Sequence, residues 1–195
     1  MSSLILASGS PRRKLLLEWA EIKFDIVVSD TDESYPSSMP VNEVPVFIAK
    51  QKALAVQMIA SKSEIYKSHT CIIAADTVVV LDNNIIGKPS DREDAINTLG
   101  KLSGKTHKVI TGVCLLHENK MEQFSETTIV EFHELTNSQT EYYVDHYKPY
   151  DKAGAYAIQE WIGVIGIKSI QGDFYNVMGL PVSKLVQKIK QLGIH

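Results

Sequence analysis

The sequence has few of the features that mark membrane, secreted or disulfide-rich proteins. No stretch reaches the ~18 consecutive apolar residues that a membrane helix needs, and the best run, residues 71–81, contains Asp76. Near the start, the arginines follow the apolar residues 4–7, which is the wrong order for a signal peptide. The 2 cysteines, Cys71 and Cys114, lack C-x-x-C spacing, which favours buried thiols in a reducing compartment, with a single disulfide as the open alternative. We therefore predict a soluble, cytoplasmic protein that makes no membrane contact.

The sequence also lacks a strong charge of either sign and the motifs of several enzyme classes. With 20 basic and 23 acidic residues, the net charge is −3 and the pI about 6.1, whereas dedicated nucleic-acid-binding domains tend to exceed a pI of ~9. We therefore expect no nucleic-acid partner, although a discrete phosphate site needs only a few cations. There is no H-E-x-x-H, nucleophile elbow or Cys/His metal cluster. Residues 100–106 resemble a P-loop, but the spacing is one residue short and the flanking elements are reversed.

Hydrophobic patterning predicts a single α/β domain over residues 1–195. The chain has 195 residues, 44% of them hydrophobic, enough for one self-sufficient core. Predicted strands cover residues 3–8, 24–29, 71–81, 107–117, 121–135, 155–159 and 164–170. One predicted helix begins at Ser10-Pro11, and others cover residues 91–102, 138–147 and 181–192. A further helix is predicted over residues 42–61, with Asn42 as its cap and Met58 on its apolar face. Because most elements alternate while two long central strands form a hairpin, we expect a mixed sheet in two layers or lobes.

The richest motif is Ser8-Gly9-Ser10-Pro11-Arg12-Arg13, where a strand ends and a helix begins. A helix N-terminus presents unpaired N–H groups and the positive end of the dipole. Two arginines add bidentate donors for phosphate. The motif predicts a phosphate site, and the alternative is an ordinary helix cap followed by a solvated basic turn.

Two carboxylates are candidates for catalysis or metal binding. Asp76 lies inside the apolar run 71–81, where an ionised group is costly unless it is paired or binds a metal. It therefore marks either a site or a structural salt bridge. Glu33, in an acidic loop, is a candidate second carboxylate for a hard cation such as Mg²⁺. Taken alone, that loop is more typical of a solvated surface segment than of a metal site.

Two lysines and one glutamine complete the candidates. Lys88 stands between a glycine and a proline, and Lys52 falls at the edge of the apolar face of its helix. Either is also compatible with an ordinary surface cation. Gln159 ends a predicted strand of small residues, and its amide can both donate and accept at the edge of a base. The alternative for that segment is a β-bulge.

In this order and spacing, these segments resemble the Maf family of nucleotide pyrophosphatases. The matching stretches are LILASGSPRRKLL, Glu33, AKQKA, AADTVVV, GKP, LSGKTHKVITGV, DKAGAYAIQ and GDFYNVMGLP. The resemblance implies two lobes flanking a cleft, as in inosine triphosphate pyrophosphatases, and a homodimer. It also implies metal-dependent hydrolysis of a nucleoside triphosphate to the monophosphate and pyrophosphate, with Asp76 as proton acceptor.

Within that family, three positions distinguish two branches. The branch acting on dTTP and UTP has arginine, threonine and glutamine where the branch acting on 7-methyl-GTP has tryptophan, glutamine and glutamate. This chain has Arg12, Thr77 and Gln159. The resemblance therefore implies a pyrimidine substrate, and a neutral amide can pair with both O4 and N3–H of uracil or thymine.

The resulting hypothesis gives each candidate a role. The residues expected to hold the triphosphate are Ser8, Arg12, Arg13, Lys52 and Lys88. Glu33 and Asp76 are expected to face Mg²⁺ or Mn²⁺ while Asp76 accepts a proton from the attacking water. The open alternatives are hydrolysis of modified pyrimidine triphosphates, a 7-methyl-GTP pyrophosphatase, and a nucleotide-binding regulator of septation that does not turn over its ligand.

Overall fold

The computed structural model describes residues 3–63, 66–67, 69–118 and 120–194. Its strands are β1 (Leu4–Leu6), β2 (Asp25–Ile26), β3 (Cys71–Leu81), β4 (Asn84–Ile86), β5 (Thr106–His117), β6 (Lys120–Phe132) and β7 (Ile167–Gln171). Its α-helices are α1 (Pro11–Trp19), α2 (Val44–Ala60), α3 (Arg92–Leu102), α4 (Asn137–Tyr147), α5 (Trp161–Gly166), α6 (Phe174–Met178) and α7 (Val182–Gln191). A short 3₁₀ turn covers Ala153–Ala155.

The strands of the described residues form one mixed sheet. Its order is β2-β1-β3-β5-β6-β7, and β4 pairs with β3 outside this path. β1 runs parallel to both β2 and β3, with Ile5 opposite Asp25 and Ile72. β4 is antiparallel to β3, and β7 is antiparallel to β6 with a register shift at Glu131/Phe132. The predicted mixed α/β sheet is confirmed.

The chain divides into two compact units, as the expected pair of lobes requires. The first consists of residues 1–76, 111–126 and 179–195, and the second of residues 77–110 and 127–178. The chain passes from one unit to the other within β3, β5 and β6, and again between residues 178 and 179.

The core of the first unit is built around helix α2. Small residues on one face of α2, among them Ala49, Ala53 and Val56, pack with Ile72 and Cys114 of the strands. Gly112 of β5 lies so close to the start of this helix that a Cβ atom there would come within 2.2 Å of the Val46 nitrogen.

The second unit has an aromatic core. His107, Phe132 and Tyr156 pack with ring centroids 5.1–5.5 Å apart. His107 Nε2 lies 2.7 Å from the Tyr156 hydroxyl, and burial lowers the pKa of His107 to about 4. Helix α3 packs against α4, and Arg92 donates two hydrogen bonds to Asp145 between them.

Several sequence predictions about these elements are wrong in detail. Residues 155–159 form no strand, because Gly154 and Ala155 have positive φ values of 72° and 58° that turn the backbone away from an extended path. Residues 161–166 are helical and only 167–171 are extended, so the predicted strand 164–170 is displaced. Strand 24–29 shortens to two residues.

Helix α2 also differs from its prediction. Glu43, and not Asn42, takes the N-cap position. Met58, which is predicted on the apolar face, is 71% exposed, because the face against the core is lined by smaller side chains.

Both cysteines are buried and neither forms a disulfide. Burial raises the pKa of Cys71 to about 12 and that of Cys114 to about 11, so both thiols stay protonated at neutral pH. The prediction of inert buried thiols is confirmed. Part of the predicted hairpin turn, Asn119, lies outside the described residues. Among the helices formed by the described residues, none combines the length and the apolar character that crossing a bilayer requires.

Candidate active site

Asp76 is a buried carboxylate at the last β3 position of the first unit. Only 8% of the residue is exposed, and Ala74 and Ala75 before it are fully buried. A carboxylate in such surroundings is stable as an anion only when it is paired. The partner is Lys52, whose Nζ lies 2.7 Å from Asp76 Oδ1.

Lys52 joins Asp76 to the second predicted carboxylate. Its Nζ also lies 2.6 Å from Glu33 Oε1, so one ammonium group bridges two carboxylates. The Lys52 side chain is 15% exposed and that of Asp76 11%, whereas Glu33 is 48% exposed. The low exposure of Lys52 shows that its ammonium does not point into bulk water. Its ammonium contacts two carboxylates, which are the groups expected to face a metal.

Arg13 is held in a defined orientation beside these groups. Its Nε donates to the Gly179 carbonyl at 2.8 Å, and its Nη1 donates to Ser8 Oγ at 3.2 Å. Burial lowers the pKa of Arg13, and attraction to Asp76 and Glu33 opposes that shift. Arginine remains a cation in proteins, so the guanidinium adds a second positive charge to the field around Asp76.

The start of α1 combines a backbone turn with this arginine. Ser10 is the N-cap residue, as predicted, but its side chain makes no capping bond. Its N–H donates instead to Ser8 Oγ at 3.2 Å. Ser8 Oγ therefore contacts both the start of the helix and Arg13. Arg12, which precedes Arg13 on α1, is close enough to lower the pKa of Arg13.

The first unit thus brings together six of the predicted residues. They are Ser8, Arg12, Arg13, Glu33, Lys52 and Asp76. They combine a buried carboxylate, an exposed carboxylate and three cations, which is a composition suited to binding and hydrolysing a polyphosphate.

The remaining predicted residues lie in the second unit. Thr77 is half-buried in β3, Lys88 is exposed after β4, and Gln159 is exposed in the turn before α5. The Gly154 N–H donates to the Gly87 carbonyl at 3.1 Å. This bond joins the segment that carries Lys88 to the segment that leads to Gln159.

Comparison with known proteins places the chain in a family. The family model described as Maf-like protein matches residues 3–192. The chain belongs to the Maf family. A relative from Porphyromonas gingivalis is 46% identical over 191 residues, and the match covers 97% of this chain and 94% of the relative's length. A relative from Parabacteroides distasonis is 48% identical over 188 residues, covering 96% and 94%. Both are named dTTP/UTP pyrophosphatase.

A solved structure, that of the Staphylococcus aureus Ham1 protein, is a more distant match. The match covers 68% of this chain and 73% of the Ham1 chain, with a TM-score of 0.41 and 11% sequence identity. A likeness of that degree does not decide the fold. The predicted relation of this Maf-family chain to inosine triphosphate pyrophosphatases therefore stays a prediction.

The carboxylates of this Maf-family chain have the donor chemistry of a magnesium or manganese site. Within residues 3–63, 66–67, 69–118 and 120–194, no group of three or more His, Cys, Asp or Glu side chains is placed to hold an ion. Glu33 and Asp76 instead present two carboxylates that both contact the Lys52 ammonium. A Mg²⁺ ion commonly uses one or two carboxylates together with substrate phosphates and waters. The pair fits an ion that is completed by a polyphosphate.

Sequence reasoning did not single out Lys152 of this Maf-family chain. Its side chain is only 9% exposed, and its Nζ lies 2.8 Å from Asp151 Oδ1 and 3.6 Å from Glu160 Oε1. The neighbouring acidic residues, Asp151 and Glu160, were the only sequence signal, since a buried lysine needs such partners.

Proposed function

We propose that this Maf-family protein hydrolyses dTTP and UTP to the corresponding monophosphates and pyrophosphate. Its relatives with 46% and 48% identity carry the name of that activity. The single observation that carries the proposal is the contact of the buried Asp76 with Lys52, next to the guanidinium of Arg13. A strand-embedded carboxylate among cations is the arrangement that a general base beside a polyphosphate requires.

Asp76 accepts a proton from the water that attacks the α-phosphorus. A bond forms between the water oxygen and this phosphorus, the bond to the bridging oxygen breaks, and pyrophosphate leaves. No covalent intermediate is involved, because the attacking group is water. General-base assistance contributes roughly 10²–10⁴ in rate, and the fixed cations stabilise the charge that develops on the phosphates.

Ser8, Arg12 and Arg13 bind the phosphates in this proposal, and Lys88 is a further phosphate ligand. The Arg13 bonds to Gly179 and Ser8 support its role, since they fix the guanidinium before a ligand arrives. Lys52 has two functions: it keeps Glu33 and Asp76 together, and it neutralises charge beside the substrate.

A divalent cation, Mg²⁺ or Mn²⁺, is part of the proposal. Glu33 and Asp76 would hold it, and it would neutralise phosphate charge. Because Lys52 bridges the same two carboxylates, they are already held together before an ion arrives.

Base selection is assigned to Gln159, with Arg12 and Thr77 as the other two positions of the pyrimidine branch. The Gln159 side chain is exposed at a turn, where its amide can donate one hydrogen bond and accept one. The N3–H and O4 edge of uracil and thymine offers the complementary pair. The proposal places the reaction in the cytoplasm, as the two reduced, buried cysteines support. The homodimer stays a prediction.

The decisive experiment is a pyrophosphate-release assay with Mg²⁺ or Mn²⁺ over UTP, dTTP, CTP, GTP, 7-methyl-GTP and modified pyrimidine triphosphates. We expect UTP and dTTP to be the best ordinary substrates, with little difference between ribose and deoxyribose. Gln159→Glu should lower kcat/KM for both by one to two orders of magnitude, because a carboxylate cannot donate to O4 and an acceptor that the bound complex buries without a partner costs about 1–3 kcal/mol.

Gln171→Glu is the matched control, since Gln171 is an exposed glutamine of the same unit, in β7. It should leave kcat/KM unchanged. Preferred turnover of 7-methyl-GTP would contradict the pyrimidine assignment. Binding of UTP without release of pyrophosphate would favour the regulator.

A further inference from the structure

The Tyr143 hydroxyl forms hydrogen bonds to residues on both sides of Gln159. The Tyr143 side chain of α4 is fully buried, and its O–H donates to the Glu160 carboxylate. The same oxygen accepts from the Ala157 N–H at 3.1 Å. Ala157 lies two residues before Gln159 and Glu160 follows it directly, so Tyr143 fixes the turn that carries this exposed amide.

The Glu160 carboxylate is itself held by a buried lysine. Lys152 Nζ lies 3.6 Å from Glu160 Oε1 and 2.8 Å from Asp151 Oδ1. Lys152 is 9% exposed and Glu160 23%. Removing one member of such a network leaves its partners without compensation in a medium of low polarity. The network therefore resists displacement of the Glu160 backbone.

A close backbone approach fixes the residue just before Gln159. In α5, a Cβ atom built on Gly163 would lie 1.8 Å from the Ile158 carbonyl oxygen. The glycine thus allows the helix backbone to pack directly on Ile158. Glu160 is the N-cap residue of the same helix, and the Gly163 N–H donates to the Glu160 carbonyl at 2.9 Å.

We propose that Tyr143, Glu160 and Gly163 are positioning residues that set base selectivity by fixing the backbone on both sides of Gln159. This inference rests on the proposed function, in which Gln159 reads the base. An amide side chain can flip and so accommodate either uracil or cytosine. Discrimination then depends on a fixed backbone that makes one amide orientation and one base position favourable. The network supplies that rigidity without contacting the substrate.

The first test is Tyr143→Phe, which keeps the ring and removes the bridging hydroxyl. We expect the ratio of kcat/KM for UTP to that for CTP to fall about tenfold, because the backbone around Gln159 is then no longer fixed and the flipped amide accepts CTP. The change should appear mainly in KM, because uniform binding of the base is what is lost. The control is Tyr142→Phe on the same helix, whose side chain is 44% exposed. It should keep the wild-type ratio.

The second test uses the glycine. Gly163→Ala must displace the Ile158 carbonyl and should lower the same ratio. Gly100→Ala is the matched control, since Gly100 lies in α3 of the same unit and an added Cβ meets nothing within 4 Å. Glu160→Gln keeps an acceptor for Tyr143, so it should lie closer to the wild-type ratio than Glu160→Ala does. The two Glu160 variants test the positioning role even if Tyr143→Phe fails to fold.

Gln159→Glu, measured alongside, distinguishes failure of the positioning role from failure of the proposed function. A lower melting temperature with an unchanged UTP/CTP ratio in all of these variants would overturn the positioning role. If Gln159→Glu still lowered pyrimidine turnover, the proposed function would stand without it. If Gln159→Glu also had no effect, the assignment of the base to Gln159 and the inference built on it would both be wrong.

Discussion

Removing the ammonium of Lys52 should destabilise the protein far more than removing an ordinary surface charge. Lys52→Met keeps a long unbranched side chain but leaves Asp76 and Glu33 without their shared cation, from which they are now 2.7 and 2.6 Å distant. At these distances and an effective dielectric constant of ~20, each pair has a direct attraction of about 6 kcal/mol. Desolvation offsets most of it.

The net effect follows from the exposure of the three side chains. Breaking a fully buried pair costs about 3–5 kcal/mol, and with side-chain exposures of 15% and 11% the Lys52–Asp76 pair lies near that limit. Glu33 is 48% exposed, and an exposed pair contributes about 0–1 kcal/mol. We therefore expect Lys52→Met to lower the free energy of unfolding by about 3–5 kcal/mol, nearly all of it from the Lys52–Asp76 pair.

Urea unfolding followed by circular dichroism measures this loss. Lys14→Met is the matched control, because Lys14 pairs with Glu18 at 3.7 Å on α1 with both side chains about half exposed. It should cost no more than about 0.5 kcal/mol. In a double-mutant cycle with Asp76→Asn, the two losses should be non-additive by at least about 1 kcal/mol. Equal losses for Lys52→Met and Lys14→Met, or additive effects in the cycle, would refute the reasoning.

Three further predictions concern catalysis, binding and pH. Asp76→Asn should retain the fold by circular dichroism and lose at least about 100-fold in kcat; a rate above about a tenth of wild type would show that Asp76 is not the base. Arg13→Ala should weaken the binding of UTP in calorimetry much more than that of uridine, because charge-assisted phosphate contacts are lost, and equal losses would contradict the phosphate role. The pKa of His107 is lowered to about 4 in the folded protein, whereas it is about 6.5 in the unfolded chain. Above pH ~6.5 the side chain is neutral in both states, and its contribution to stability is complete. As the pH falls towards 4, the unfolded chain binds the proton first, so the free energy of unfolding falls, by about 2 kcal/mol at pH 5. His107→Gln should therefore show a smaller loss of unfolding free energy than wild type between pH 7.5 and 5, and an identical slope would contradict this explanation.

Local signals in the sequence predicted most of the elements. Strand β3 has the predicted bounds, residues 71–81, because its apolar run is bounded by polar residues on both sides. Helix α3 begins after Asp91, whose side chain accepts from the Asp94 N–H as an N-cap should. Such patterns involve only a few neighbouring residues, so they can be recognised in a single sequence.

Features that depend on distant contacts were not predictable in this way. The segment 155–159 has the small and β-branched residues of a strand, yet Gly154 has positive φ and packs against Val79, 75 residues earlier in the chain. The acidic neighbours of Lys152 do not by themselves show that its side chain is buried, and nothing local indicates that Tyr143 bonds to Glu160. The candidate site was predictable residue by residue, but the bridge from Lys52 to both carboxylates arises from packing α2 on the sheet.

The bond between Arg13 and Gly179 has a consequence for synthesis of the protein. It joins residues 166 positions apart, and the first unit contains both residues 1–76 and residues 179–195. Chains are made from the N-terminus at about 5–20 residues per second, so the first unit stays incomplete until residues 179–195 have been made. Arg13 can acquire its carbonyl partner only after residue 179 has been made, and a chain cut short before that residue cannot make this bond, however well its earlier segments fold.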